Sequence, residues 1–268
     1  MSVIESRHDL LADSGDSRRG VVMTMGALHE GHAALIRAAR DRDEHVTVTI
    51  FVNPLQFGEG EDLDRYPRTL DQDLELCERL GVNTVFAPTP SQVYTRPALV
   101  TVNPGALGRQ LEGAARPGHF EGVLTVVLKL MQLTRPDDAF FGEKDYQQLT
   151  LIRSMVRDFD LGVNVVGVET AREPDGLARS SRNVYLSDEQ RAAAAAIPRA
   201  LRAAAGRTDV TEIEAVATDH LHDLDVDYVE VRSADLSPPV PGVGRLLVAA
   251  RVGSTRLLDN CAVEVRSV

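Results

Sequence analysis

The sequence predicts an α/β fold, a parallel sheet with crossover helices followed by a smaller α+β domain, and three observations carry that prediction. Short β-branched runs alternate with helical segments through residues 20–168, the pattern of strand–helix–strand units. A turn bearing glycine and histidine closes the first of these runs and opens a helix. After about residue 170 the texture changes, and helices are followed by strands. The expected division is residues 1–170 for the first domain and 171–268 for the second.

Taken in order, residues 20–25 are an apolar strand ending at Gly26, and 32–42 read as the helix behind it. A second β-branched strand, 46–52, stops at Asn53-Pro54. Helix 69–80 ends at Gly81, a residue suited to a left-handed C-terminal cap. Strand 84–87, the apolar helix 122–133, strand 138–141, helix 146–159 and strand 163–168 complete the first unit. Beyond it, Ser187 with Gln190 makes a capping box for a helix expected to be interrupted at Pro198. A helix over 211–222, a strand over 227–232, a Pro-rich turn over 237–241 and a strand over 246–252 follow.

Length and composition narrow the classes. The 268 residues are 43% hydrophobic and 26% charged, ordinary values for a globular chain with one large or two modest cores. With 40 acidic against 29 basic residues the formal charge is -11, and no basic stripe stands out, so a nucleic-acid partner is not expected. Cationic side chains should matter locally, around a small anion. Cys77 and Cys261 are far apart in sequence; a bridge between them is open in principle, but two buried free thiols of a reducing compartment fit better. Residues 1–9 carry charge without an apolar stretch, so no signal peptide is expected, and no run approaches a membrane span. The expected location is the cytoplasm.

The strongest chemical signal is Met25-Gly26-Ala27-Leu28-His29-Glu30-Gly31-His32. It lies where the first strand ends and a helix begins, and in open parallel sheets ligands sit beyond the carboxyl ends of strands. A helix start offers N–H groups and a partial positive charge to phosphate, and the two imidazoles can add hydrogen bonds. A lone histidine would be read as a solvated or core side chain, but this octapeptide in this place is not a lone histidine. A zinc site would need a third ligand at suitable spacing, and none appears. Phe51-Val52-Asn53-Pro54-Leu55-Gln56-Phe57 puts neutral amides on the same rim, suited to hydroxyl and carboxylate groups. Arg116-Pro117-Gly118-His119-Phe120-Glu121-Gly122 is a Gly-rich connection before a helix. In Phe141-Gly142-Glu143-Lys144-Asp145-Tyr146-Gln147-Gln148, Lys144 suits the β/γ-phosphates of a nucleotide and Asp145 a ribose hydroxyl, whereas Glu143 reads as solvated. Arg179-Ser180-Ser181-Arg182-Asn183 sets hydroxyls beside guanidiniums, a phosphate clamp by composition though weak alone.

In this order and spacing, these five segments resemble the pantoate–β-alanine ligase family. Tyr66-Pro67-Arg68-Thr69, Tyr228-Val229-Glu230-Val231 and Arg256-Leu257-Leu258-Asp259-Asn260 extend the likeness over nearly the whole chain. His-x-Gly-His alone indicates only the wider nucleotidyltransferase superfamily. The resemblance implies a Rossmann-like sheet with helices on both faces, a C-terminal lid domain and a homodimer. It implies that ATP and pantoate give pantoyl adenylate, which β-alanine converts to pantothenate, with Mg²⁺ accompanying the ATP. By the same likeness the ATP site comprises Met25, Gly26, Ala27, Leu28, His29, Glu30, Gly31, His32, Gly142, Glu143, Lys144, Asp145, Ala171, Arg179, Ser180, Ser181 and Arg182. Gln56 and Gln148 would hold pantoate, Gln56 would also approach β-alanine, and His32 matches a position assigned proton donation. The catalytic group is expected to be His29, His32, Lys144 and Arg182. Arg179 and Ala171 depart from the family pattern, which has an apolar residue at the first position and a larger aliphatic at the second. The magnesium ligands stay open: Asp71 and Asp73 lie near the expected helix, but helical acids are more often solvated.

Two rival readings are weaker. An enzyme transferring nucleotides to a phosphate ester would need a second cation cluster, which the amide pair Gln56 and Gln148 opposes. A non-catalytic nucleotide-binding protein would have eroded chemistry, yet His29, His32, Lys144, Ser181 and Arg182 are all present.

Overall fold

The computed structural model describes residues 1–268 except Ser14, Glu59 and Asp62. The chain divides into two compact units, one of Met1–Glu143 with Leu151–Glu169, the other of Lys144–Thr150 with Thr170–Val268.

Among the described residues, the first unit holds six strands: β1 (Ser2–Ile4), β2 (Arg19–Thr24), β3 (His45–Ile50), β4 (Thr84–Phe86), β5 (Asp138–Gly142) and β6 (Asn164–Val168). They form one parallel sheet in the order β1-β4-β3-β2-β5-β6. The chain runs outward from β2 to β3 and β4, then returns to lay β5 on the other side of β2. That reversal makes the carboxyl end of β2 the switch point of the sheet. Its helices are α1 (Arg7–Ala12), α2 (Glu30–Arg40), α3 (Leu70–Arg79), the short α4 (Pro90–Val93) and α5 (Glu112–Ala115), α6 (His119–Thr134), and α7 (Tyr146–Asp158), whose first turn belongs to the second unit.

Strand residues point alternately to the two faces, and here both faces are covered, so β2 is buried almost throughout. Val22, Val46, Val48, Val85 and Phe140 meet Leu35, Ile36 and Ala39 of α2 and Cys77 of α3. Each valine, leucine, isoleucine or phenylalanine side chain fully buried there contributes about 1.5–3 kcal/mol. Gly81 takes φ +72° just after α3, the conformation its sequence position called for.

Two elements at the amino end, β1 and α1, escaped the sequence pattern. Three residues are too few to show alternation, and β1 becomes a strand only through its register with β4. The helix expected at residue 32 starts two residues earlier, at Glu30, because a histidine caps it (below).

The second unit contains α8 (Asp188–Ala194), α9 (Ala196–Ala204), α10 (Val210–His220) and the antiparallel sheet β7 (Asp225–Ser233), β8 (Gly242–Val252), β9 (Thr255–Val265) in the order β7-β8-β9. Its core joins Ala194, Ile197, Ala200, Leu201, Ile213, Ala217 and Leu221 of the helical region to Val231, Leu246, Val248, Ala250 and Val263 of the sheet. The Ser187–Gln190 capping box forms as expected. Pro198 does not break a helix: the chain bends at Ala195, and Pro198 lies in the first turn of α9. There its missing N–H would have had no intrahelical partner. Strand β9 was missed, although Gly253, at φ +60°, opens a two-residue hairpin loop that pairs Val252 with Thr255.

Candidate active site

In the first unit, the site grows from the carboxyl end of β2. The Thr24 hydroxyl donates to Thr49 O at 2.8 Å and accepts from Gly26 N at 3.1 Å, closing the strand. Gly26 (φ +83°) and Ala27 (φ +51°) are both left-handed. For alanine this conformation costs about 1–2 kcal/mol, so something must hold it. Asp73 does: its carboxylate accepts from Ala27 N at 3.0 Å, Leu28 N at 2.8 Å and the Thr69 hydroxyl at 3.2 Å. Asp73 is 2% exposed. Burial raises its carboxyl above the ordinary range, while the two backbone donors pull it down. By its sequence Asp73 reads as a solvated helical acid, whereas the fold buries it against the turn.

The turn delivers His29 as the N-cap of α2. His29 Nδ1 accepts from Gly31 N at 3.0 Å, and His32 Nδ1 accepts from His29 N at 3.2 Å, a reciprocal cap. Both Nδ1 atoms being acceptors, each neutral ring carries its proton on Nε2. The ring centroids lie 4.2 Å apart. Burial, and secondarily the neighbouring His29, push His32 down to about 3. His32 is therefore a neutral N–H donor at physiological pH. Glu30, which the likeness included with the nucleotide contacts, sits exposed in an ion pair with Arg37.

Gln56 ends a short 3-10 turn, Pro54–Gln56, begun by Asn53. Its side chain accepts from Asn53 Nδ2 at 3.1 Å and donates to Met25 Sδ at 3.0 Å, so the second motif is tied to the first. Asn53 is fixed in turn: Tyr94 donates its hydroxyl to Asn53 Oδ1 at 2.9 Å, and Asn53 Nδ2 also donates to Gly122 O at 3.2 Å. A side chain at Gly122 would bring Cβ to 2.1 Å from Leu55 O, so only glycine lets α6 approach this turn. The Glu61 carboxylate accepts from Arg116 Nε and Nη2 at 2.8 and 2.7 Å, which holds it below the ordinary range. Arg116 Nη1 donates to His119 Nε2 at 3.0 Å. His119 Nδ1–H then donates to Gln56 O at 2.8 Å. Arg116 and His119 thus find their place beside Gln56, which their sequence position alone did not give. Tyr94 carried no sequence signal at all. Gly142 ends β5, and Glu143 N donates to Val168 O at 2.8 Å.

In the second unit, Asp145 Oδ1 accepts from Gln148 N at 3.1 Å, capping the start of α7. The Tyr146 hydroxyl donates to Ala234 O at 2.9 Å, and the Arg245 guanidinium stacks 3.9 Å over the Tyr146 ring. Lys144 and Gln148 are half-buried. Ala171 O accepts from Arg179 N at 2.9 Å, and the Ser180 hydroxyl caps the 3-10 turn Ser181–Tyr185 by accepting from Arg182 N at 3.3 Å. Arg179 Nε is buried without a hydrogen-bond partner. Among the described residues, no three or more His, Cys, Asp or Glu side chains cluster so as to hold a metal ion.

A parallel sheet that presents a doubly capped His-x-Gly-His helix start at its switch point defines an α/β enzyme that handles nucleotide phosphates. The model of the family described as Pantoate-beta-alanine ligase matches residues 2–262. A pantothenate synthetase of Salinispora arenicola is 54% identical over 98% of this chain and 98% of its own. The crystal structure of a pantothenate synthetase from Thermus thermophilus is 43% identical and superposes with a TM-score of 0.92 over 97% of this chain and 99% of that one. A pantoate-beta-alanine ligase from Francisella tularensis, complexed with beta-gamma ATP and beta-alanine, is 34% identical with a TM-score of 0.83 over 97% of each chain. The chain belongs to the pantoate–β-alanine ligase family.

Proposed function

We propose a division of labour among these side chains in the reaction the family carries out. The chain condenses pantoate with β-alanine at the expense of ATP, giving pantothenate, AMP and pyrophosphate by way of pantoyl adenylate. A pantoate carboxylate oxygen bonds to the α-phosphorus as the bond to pyrophosphate breaks. The unprotonated β-alanine amine then attacks the acyl carbon, and AMP departs. The substrate supplies the nucleophile, so the protein's part is orientation, charge stabilisation and exclusion of water.

The observation that carries the assignment is the reciprocal histidine cap. It fixes the proton of each neutral ring on Nε2 at a helix start, the kind of place where donors can meet the charge that builds on phosphate oxygens. In this reading His29 and His32 stabilise the phosphates as neutral donors, and His32 does not serve as an acid. Met25, Gly26, Ala27, Leu28, Glu30, Gly31, Gly142, Glu143 and Asp145 complete the nucleotide contacts with Lys144, Ala171, Arg179, Ser180, Ser181 and Arg182. The partnerless Nε–H of Arg179 supports its place among them. Gln56 and Gln148 hold pantoate, and Gln56 also meets β-alanine. Support for Gln56 comes from the three motifs that converge on its backbone and amide.

Asp73 is committed to backbone donors and so is poorly placed as a metal ligand. Mg²⁺ therefore enters as the counter-ion of ATP, bound chiefly by its phosphates. Residues 1–170 bind nucleotide and pantoate, and 171–268 serve as a lid that keeps water from the adenylate. By likeness to its family the ligase works as a homodimer. Free Cys77 and Cys261 suit a cytoplasmic setting. No helix among the described residues is long and apolar enough to cross a membrane.

Isotope exchange between pyrophosphate and ATP tests the reading. Exchange that requires pantoate but not β-alanine is expected. Exchange independent of pantoate, or none, overturns it.

A further inference from the structure

The late motif Arg256-Leu257-Leu258-Asp259-Asn260 has no part in the reaction as described above, yet two of its polar side chains are among the most buried of the second unit. Asp259 is 2% and Asn260 4% exposed, both on β9. Buried polar groups persist where they are hydrogen-bonded, so their partners show what they are for.

Asn260 Nδ2 donates to the backbone carbonyl of Lys144 at 3.0 Å. Asp259 takes Arg172 in a two-pronged pair, accepting from Nη1 at 2.7 Å and Nη2 at 3.1 Å. The same guanidinium donates from Nη1 to Gly176 O at 3.0 Å. Arg172 and Ala178 bridge through their backbones, and Arg179 N donates to Ala171 O at 2.9 Å. Residues 171–179 are thereby folded into a small hairpin with Gly176 at its turn (φ +91°). Its outgoing arm runs directly into Ser180, Ser181 and Arg182. Asn183 ties the next turn back to it, donating from Nδ2 to Ala178 O at 3.1 Å and Glu173 Oε1 at 2.9 Å.

We propose that Asp259 and Asn260 are a positioning pair that sets the two ATP-handling segments of the second unit, Asn260 through the Lys144 carbonyl and Asp259 through Arg172 and the hairpin leading to Arg182. The proposal rests on the reading of Lys144 and Arg182 as ATP contacts. Its physical basis is that adjacent residues on one strand hold both segments. An extended strand spaces the two anchor points rigidly, and a planar guanidinium fork on a carboxylate fixes orientation as well as distance. A lysine and a serine–arginine clamp that meet one triphosphate must be held to within a fraction of an ångström, and a shift of about 1 Å costs on the order of a hundredfold in rate.

The test uses near-isosteric changes that preserve packing. Asn260→Asp removes the donor to Lys144 O, and Asp259→Asn removes the charge facing Arg172, which is exposed enough to hydrate. Both are expected to raise the KM for ATP about tenfold or more while the KM for pantoate stays within about twofold, since a displaced clamp affects only the ligand it meets. Each change should couple to its own arm: Asn260→Asp should cost little more in a Lys144→Ala background, and Asp259→Asn little more in Arg182→Ala. Far-ultraviolet circular dichroism and thermal melting of the same proteins separate misfolding from misplacement. Equal losses for ATP and pantoate, or full additivity within each pair, overturn the positioning role. If Lys144→Ala and Arg182→Ala weaken ATP use while both anchor variants behave as wild type, this inference fails alone. If Lys144→Ala and Arg182→Ala are themselves indifferent to ATP, the underlying ATP reading fails and takes this inference with it.

Discussion

At the scale of single residues, the state of His32 makes the sharpest prediction. With its folded pKa pushed down to about 3 by burial, the ring stays neutral where an ordinary histidine would be protonated. The unfolded chain takes up that proton below pH 6.5 and the folded chain does not. Stability is therefore complete above pH 6.5 and declines as the pH falls toward 3, by at most about 1.4 kcal/mol per pH unit. Urea unfolding at pH 7.5 and 5.5 should show a smaller pH-dependent loss for His32→Asn than for the wild type. The same neutrality predicts that removing the Nε2–H donor in His32→Ala lowers pyrophosphate exchange by about two to three orders of magnitude. Its circular dichroism should remain native, and an unimpaired variant would remove His32 from the mechanism. Asp73→Asn offers a second test. It places an amide against two backbone donors and should cost about 1–3 kcal/mol in urea unfolding while raising the KM for ATP. A signal for this role did exist in the sequence: Asp73 lies four residues before Cys77, on the buried stripe of α3. Its carboxylate nonetheless looks solvated from sequence, because the backbone donors it satisfies lie some 45 residues away in the chain.

At the scale of elements, close approach matters more than propensity. α6 touches the Pro54–Gln56 turn through Gly122, so Gly122→Ala forces the two apart. Overpacking of this kind costs about 1–3 kcal/mol. It should appear as a lowered melting temperature together with a raised KM for pantoate, whereas unchanged pantoate kinetics would separate Gln56 from that substrate. The longer strands and helices between residues 19 and 168 are legible because alternation of β-branched runs and helical spacing is a local property, whereas the four-residue α4 and α5 are too short to show a period. Pro198 shows the limit of local reading. Proline is a breaker inside a helix but harmless in its first turn, and which applies depends on where the chain bends. β9 was missed for a related reason: Arg256, Asp259 and Asn260 dilute its apolar pattern, and two of those polar residues are buried by partners far away in the chain.

At the scale of the whole molecule, each unit has a hydrophobic core of its own. Calorimetric unfolding should therefore depart from a single two-state transition. Ile36→Ala and Ile197→Ala, both at fully buried positions in different cores, should each cost about 2–5 kcal/mol and shift different parts of the trace. A single transition shifted equally by both would show one cooperative unit instead.

By itself the sequence determined the order of most elements, the parallel sheet and the family, because periodicity, caps and contiguous motifs are written along the chain. It placed the His-x-Gly-His turn at the end of β2 for the same reason. Tertiary structure alone decided that Asp73 braces that turn, that Glu61, Arg116 and His119 run in a chain to the carbonyl of Gln56, and that Asp259 and Asn260 gather two distant segments. Each is a buried polar group whose partner is remote in sequence. A residue's type shows what it can bond to, but only the folded backbone decides which donor or acceptor comes within about 3 Å of it.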